Sequence, residues 1–176
     1  MTSLTGIELL KHLVQAKPGD PVASLSAQQL IELTEQALAE MEDCLDRIHY
    51  LNILQAQELC ALFWSHTREG QKIHQQTARL GSRVRVLKNT LSISWFHSSF
   101  SLKSGEHKGR FIAHHISKPR HRSAYSAASL ARCHPWERDN VLLTEAEYAK
   151  LRERQLRITE LRALIKAVTK ITADLN

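Results

Sequence analysis

Aromatic side chains make up only 6% of this 176-residue chain, so a core built from it must be mostly aliphatic. Glycine and proline are few, at six and four, and no low-complexity tract or internal repeat is present. With 43% hydrophobic and 24% charged residues, the remaining composition is that of a globular chain long enough to bury a core without staples. Cysteine is limited to Cys44, Cys60 and Cys133. An odd count, wide spacing and no CxxC pair exclude a disulfide framework and fit a reducing compartment. No apolar run approaches the roughly 18–20 residues of a membrane span. Met1 to Leu13 lacks the basic-then-apolar layout of a signal peptide. The expected location is the cytoplasm, with no membrane partner.

Catalytic signatures are also missing. The chain has no HExxH, P-loop, GxGxxG or GxSxG motif. Five of its ten histidines (His97, His107, His114, His115, His121) crowd between Trp95 and Arg122. Neighbouring His114 and His115 point to opposite faces of a strand and are poorly placed to share an ion, and Cys133-His134 lacks partners at zinc-finger spacing. Tyr125 has no recognisable acidic or metal partner, and the acids sit on helix faces where solvation explains them. No enzyme, cofactor or metal site is expected.

Acidic residues are nearly absent from the middle third. From Arg68 to Arg132 thirteen bases face only Glu69 and Glu106. From Asp20 to Glu58, by contrast, eight acids face one base, Arg47. One-sided positive potential attracts polyanions.

The pattern of apolar residues predicts the elements that carry this charge. Residues 1–25 form a leading segment with a brief helix, broken by Pro18-Gly19-Asp20-Pro21. Ser26-Ala-Gln-Gln29 is a capping box. It opens a long helix within 26–80 whose seam steps by three and four through Leu30, Leu33, Ala37, Met41, Cys44, Ile48, Leu51, Gln55, Leu59 and Leu62. Gly70 is expected to stop or kink this helix and Gly81 to end it. The period then changes to two, in Arg83-Val-Arg-Val-Leu87, Leu91-Ser-Ile-Ser-Trp95 and Arg110 to Ile116, which predicts an antiparallel meander over 82–116. The apolar phase flips across Leu87-Lys88-Asn89-Thr90, where a turn or bulge is expected. Residues 117–134 form a basic loop, with a short helix a candidate over Ala124 to Cys133. The C-terminal helical region, 135–176, contains a second capping box at Thr144-Glu-Ala-Glu147 and a seam through Tyr148, Leu151, Gln155, Ile158, Leu161, Ile165, Val168, Thr172 and Leu175. The expected fold is α+β: residues 26–176 as one domain, with two long amphipathic helices pairing as an antiparallel coiled-coil hairpin and a small antiparallel sheet between them in sequence. Separate helices in a bundle, or a seam used for dimerisation, are the alternatives.

Arg83 and Arg85 share a strand face about 7 Å apart, close to the phosphate spacing along one nucleic-acid strand. Lys118, Arg120 and Arg122, if extended, form a second ladder. With Lys88, Lys103, Lys108, Arg110 and Arg132 they are the candidate nucleic-acid contacts, and short serine donors lie among them. Trp95 and Phe96 are candidates for base stacking, weighed against core packing.

The order of elements resembles the MobI family of accessory mobilisation proteins. The features that carry it are a long helix, a small sheet with Leu91-Ser-Ile-Ser-Trp-Phe96, a basic loop, and His134-Pro-Trp-Glu-Arg-Asp-Asn-Val141 leading into a Glu/Arg-rich helix. Its specific points are Trp95, Trp136-Glu137, Glu147, Arg152 and Arg154, and it spans residues 26–170. The resemblance implies a relaxosome auxiliary factor that binds DNA at or near an origin of transfer and assists a separate relaxase, with a homodimer open. A helical protein–protein adaptor and an RNA-binding protein are the competing readings.

Overall fold

Ser26 closes the first turn of the long helix from both sides. The Gln29 N–H donates to Ser26 Oγ at 3.2 Å, and the Ser26 N–H donates to Gln29 Oε1 at 2.9 Å. In this computed structural model, which describes residues 6–15, 25–100 and 111–174, a short helix α1 (Gly6–Gln15) is followed by helix α2 (Ala27–His74), uninterrupted for 48 residues. No proline falls within α2. Gly70 neither stops nor visibly breaks it. Instead its bare Cα makes room for an indole: a Cβ there would lie 2.6 Å from the Trp136 ring. The helix ends at His74, and Gln75 takes up the left-handed conformation (φ 49°) that commonly follows a helix C-terminus. Gly81, expected to end the helix, lies in the first strand, where a Cβ would strike the Phe96 ring at 2.3 Å.

Three strands follow, β1 (Leu80–Leu87), β2 (Thr90–Phe100) and β3 (Phe111–His115), in the order β1-β2-β3 and all antiparallel. The phase flip at Leu87 to Thr90 is a two-residue hairpin. Leu87 pairs with Thr90, and Lys88 and Asn89 both have positive φ, 49° and 58°. That is the turn whose twist suits a right-twisted strand pair. Residues 126–133 make consecutive i to i+3 turns, such as Ser129 N to Ser126 O, but no helix. A 3₁₀ turn (Pro135–Glu137) runs into helix α3 (Arg138–Ala173). The second capping box is therefore misplaced: Thr144 and Glu145 lie inside α3, and both are buried. The molecule is thus α+β, with long helices and a small antiparallel sheet.

Contacts divide the chain into two compact units. One comprises Met1–Glu42 and Leu164–Asn176, in which Leu38, Ile165 and Thr172 are buried. The other, Asp43–Ala163, holds the sheet and the main core. In this second unit Ile53, Ala56 and Phe63 of α2 pack with Leu80, Leu91, Ile93 and Trp95 of the sheet, Tyr125 and Leu130 of the loop, and Val141, Tyr148 and Leu151 of α3. Trp95 is completely buried and takes Phe63 and Tyr148 edge-on, with ring centroids 5.1 and 5.9 Å away. Also in this unit Asp46 meets Arg162, Gln55 meets Arg154, and Phe63 and Thr67 meet Asn140. The contacts therefore run in opposite order along α2 and α3.

The α3 seam falls largely where the periodicity placed it, at Tyr148, Leu151, Ile158, Ile165 and Thr172, although Leu161 and Val168 are exposed. The α2 seam does not. Its buried residues are Leu38, Leu45, His49, Asn52, Ile53, Ala56, Phe63 and Thr67, while Leu30, Leu33, Met41, Cys44, Ile48, Leu51 and Leu62 are exposed. The helix faces the core with a stripe close to one residue later in phase. Three polar residues stand on it, His49, Asn52 and Thr67: His49 Nδ1 contacts Gln155 Oε1 at 2.9 Å, Asn52 Nδ2 donates to the Leu151 carbonyl at 3.1 Å, and Thr67 Oγ1 accepts from Asn140 Nδ2 at 3.3 Å. Among the described residues, no helix is long and apolar enough to cross a membrane.

Candidate nucleic-acid interface

Strand alternation sorts the sheet into two faces. Leu91, Ile93 and Trp95 point to the core, so their neighbours Ser92, Ser94 and Phe96 point away from it. Cross-strand register adds Arg85 opposite Ser92 and Arg83 opposite Ser94 on that same outer face, with His115 opposite Phe96. No acidic residue occurs in any of the three strands. The Arg83 guanidinium lies 5.0 Å from the Phe96 ring centre, and Phe96 in turn covers Gly81. Phe96 is thus a pedestal that holds a cation outward. Arg85 is exposed beyond it, and Lys88 sits at the hairpin tip.

Neither aromatic is set up as a base-stacking platform. Trp95 has no exposed ring face, and its Nε1 donates to Glu145 Oε2 at 2.6 Å. Phe96 carries Arg83 and packs near Trp64, with ring centroids 6.3 Å apart. The reason lies in alternation: Trp95 shares its phase with Leu91 and Ile93, which places it in the core.

The second ladder is a turn rather than an extended run. Arg122 N–H donates to the Pro119 carbonyl at 3.2 Å, and the Lys118 ammonium donates to the carbonyls of Pro119 and Arg122. Lys118 therefore closes the turn internally. Arg120, His121 and Arg122 remain exposed on it. They line a cleft of about 550 Å³ against the side of α3, opposite Gln155, Arg157 and Thr159. Lys103, Lys108 and Arg110, also expected as contacts, lie outside the described residues.

The loop is fixed by residues that spacing alone did not reveal. Arg152 on α3 donates to the Ile93 and Ser123 carbonyls and to both oxygens of Glu145, at 2.9 and 3.1 Å. It also lies 5.0 Å from the Tyr125 ring centre. Glu145 further accepts from the Tyr125 N–H at 2.8 Å. Ser123 Oγ donates to Glu153, which holds that carboxylate below its usual range. A second buried acid, Glu137, accepts the backbone N–H groups of Arg79, Leu80 and His134, between 2.7 and 3.2 Å. Glu137 thereby ties the start of β1 to the segment that precedes α3.

The salt bridges fall elsewhere. Lys150, Arg152, Arg157 and Arg162, all on α3, are bridged to carboxylates. Among the described residues, none of the cations from Arg68 to Arg132 is bridged to a carboxylate. No group of three or more His, Cys, Asp or Glu among the described residues could hold a metal ion.

The family model described as MobI protein matches residues 48–166. No curated protein and no solved structure matches the chain.

Proposed function

The chain belongs to the MobI family, and from that membership we propose that it is a non-enzymatic DNA-binding accessory protein of conjugative mobilisation, acting in the cytoplasm at or near an origin of transfer to assist a separate relaxase. The observation that carries this reading is the set of unbridged cations on the outer sheet face and the Arg120–Arg122 turn. A polyanion supplies the counter-charge that the fold withholds from them. Arg83 and Arg85, with Ser92 and Ser94 beside them, suit the phosphates of one strand, and the cleft under Arg120 and Arg122 suits the backbone that continues past the sheet. The antiparallel contacts of α2 and α3 are read here as a coiled-coil hairpin that holds this surface. The exposed apolar residues Cys44, Ile48, Leu51 and Leu62 on α2 are available to a relaxase or a second copy.

Binding of duplex, single-stranded and RNA probes across a salt series tests the proposal. Affinity should fall steeply with salt, because phosphate contacts release counterions. Arg120→Glu with Arg122→Glu should leave the fold intact and flatten the log–log salt slope by about 2. Absence of any complex at about 50 mM salt would sink the DNA-binding reading. An unchanged slope in the variant would remove the turn from the interface. If the complex forms with RNA alone, the RNA reading replaces the DNA one.

A further inference from the structure

One basic cluster lies apart from the outer sheet face and the cleft. His97 on β2 and His114 on β3 are register partners, with ring centroids 6.4 Å apart. They follow Leu91, Ile93 and Trp95 in phase but lie past the end of the core, where His97 is half-buried and His114 exposed. Ser99 Oγ lies 2.9 Å from His114 Nε2, which fixes that ring. Arg79 immediately precedes β1, and its carbonyl accepts the Ser98 N–H at 2.8 Å, so it flanks His97. Arg132 belongs to the segment before the 3₁₀ turn, and Glu137 ties His134, two residues on, to residues 79 and 80. Both arginines are exposed, and both act electrostatically on His97.

We propose that His97, His114, Arg79 and Arg132 form a seat for one phosphate group, which takes up a proton as the anion enters. The proposal rests on the DNA-binding reading above and deepens it by adding His97, His114 and Arg79, which were not among the candidate contacts, to Arg132, which was. The charged and titratable groups that act on His97 are Arg132, His114 and Arg79, with Glu137 as the opposing charge. The buried Glu137 carboxylate is already engaged by three backbone N–H groups, which leaves the two guanidinium groups to the ligand. Burial first, and then these neighbouring cations, hold His97 below the usual imidazole range in the free protein. An arriving phosphate reverses the local field, so the imidazole is protonated and donates to a phosphate oxygen. The linkage has a definite sign: protons are taken up on binding, so affinity rises as pH falls through the histidine range.

The test measures duplex affinity between pH 6 and 8 at fixed ionic strength, with and without a 5′-phosphate on the probe. Proton uptake by one imidazole predicts tighter binding at pH 6 than at pH 8, by at most about tenfold for each pH unit. His97→Gln with His114→Gln should lose most of that dependence while still binding at pH 8. A dependence that appears only with the 5′-phosphate assigns the seat to a strand end, and one common to both probes assigns it to the backbone diester. NMR titration of the His97 ring in the unmutated protein, with dimethyl phosphate as a second probe, needs no variant to fold. An upward shift of its titration midpoint on adding either probe supports the seat. Equal pH dependence in the double variant, no pH dependence in the parent, or an unmoved His97 midpoint overturns it, and DNA binding itself then stands. If no DNA binds at any pH, the functional proposal fails, and the dimethyl phosphate titration alone decides the seat.

Discussion

Glu145 gathers contacts from three parts of the chain: the Trp95 indole on β2, the Tyr125 backbone in the loop, and Arg152 one helical step of seven residues along α3. Both charged side chains are nearly inaccessible, at 10% for Arg152 and 7% for Glu145. A pair like this contributes little against a well-packed apolar replacement, but removing one partner leaves a buried charge uncompensated. Glu145→Gln should therefore cost about 3–5 kcal/mol in denaturant unfolding. Glu145→Leu combined with Arg152→Met should recover part of that loss. If Glu145→Gln unfolds at the parent midpoint, the pair is not what holds the loop. In the sequence Glu145 looked like one more solvated acid on a helix face. Its partners Trp95 and Tyr125 lie 50 and 20 residues away, and helical spacing carries no information about them. Trp136 and Glu137 were legible as distinctive residues, but their tasks, covering Gly70 and capping residues 79, 80 and 134, emerge only when the elements meet.

At the scale of elements, the hairpin was the most legible feature. A phase flip over four residues fits a two-residue turn, and the alternation on either side states which residues face inward. The α2 seam shows the opposite case. Leucine and isoleucine step by three and four along the exposed stripe of this helix, whereas the adjacent stripe that meets the core has His49 and Asn52 among its apolar residues. Apolar counting favours the wrong one. The error has a measurable counterpart. Ile53→Ala, which removes a side chain from the core cluster, should cost about 2–5 kcal/mol. Leu51→Ala, at a residue 59% exposed, should fall within about 0.5 kcal/mol. Comparable losses in both, read from chemical denaturation, would contradict the observed phase. His49 and Asn52 are the kind of buried polar pair that fixes the register of one helix against another. That role is invisible to a pattern that scores only hydrophobicity.

At the scale of the whole molecule, the concentration of positive charge in the middle third was plain in the sequence. What the sequence could not show is that the fold leaves it without carboxylate partners among the described residues, while four cations of α3, Lys150, Arg152, Arg157 and Arg162, are bridged. This has a consequence for stability as well as binding. Exposed like charges on one surface repel one another, and salt screens them over about 10 Å at 0.1 M. Raising salt from about 50 to 500 mM should therefore raise the melting temperature of the free protein and, over the same range, release its DNA. Melting scans with and without a duplex would show the two curves converging as salt increases. A melting temperature that falls with salt would mean that the bridged charges of α3 dominate instead. In chemical terms the isolated chain is a polycation short of its counterions. Folding leaves that deficit open, and a nucleic acid would close it by serving as the missing half of the protein's own charge lattice.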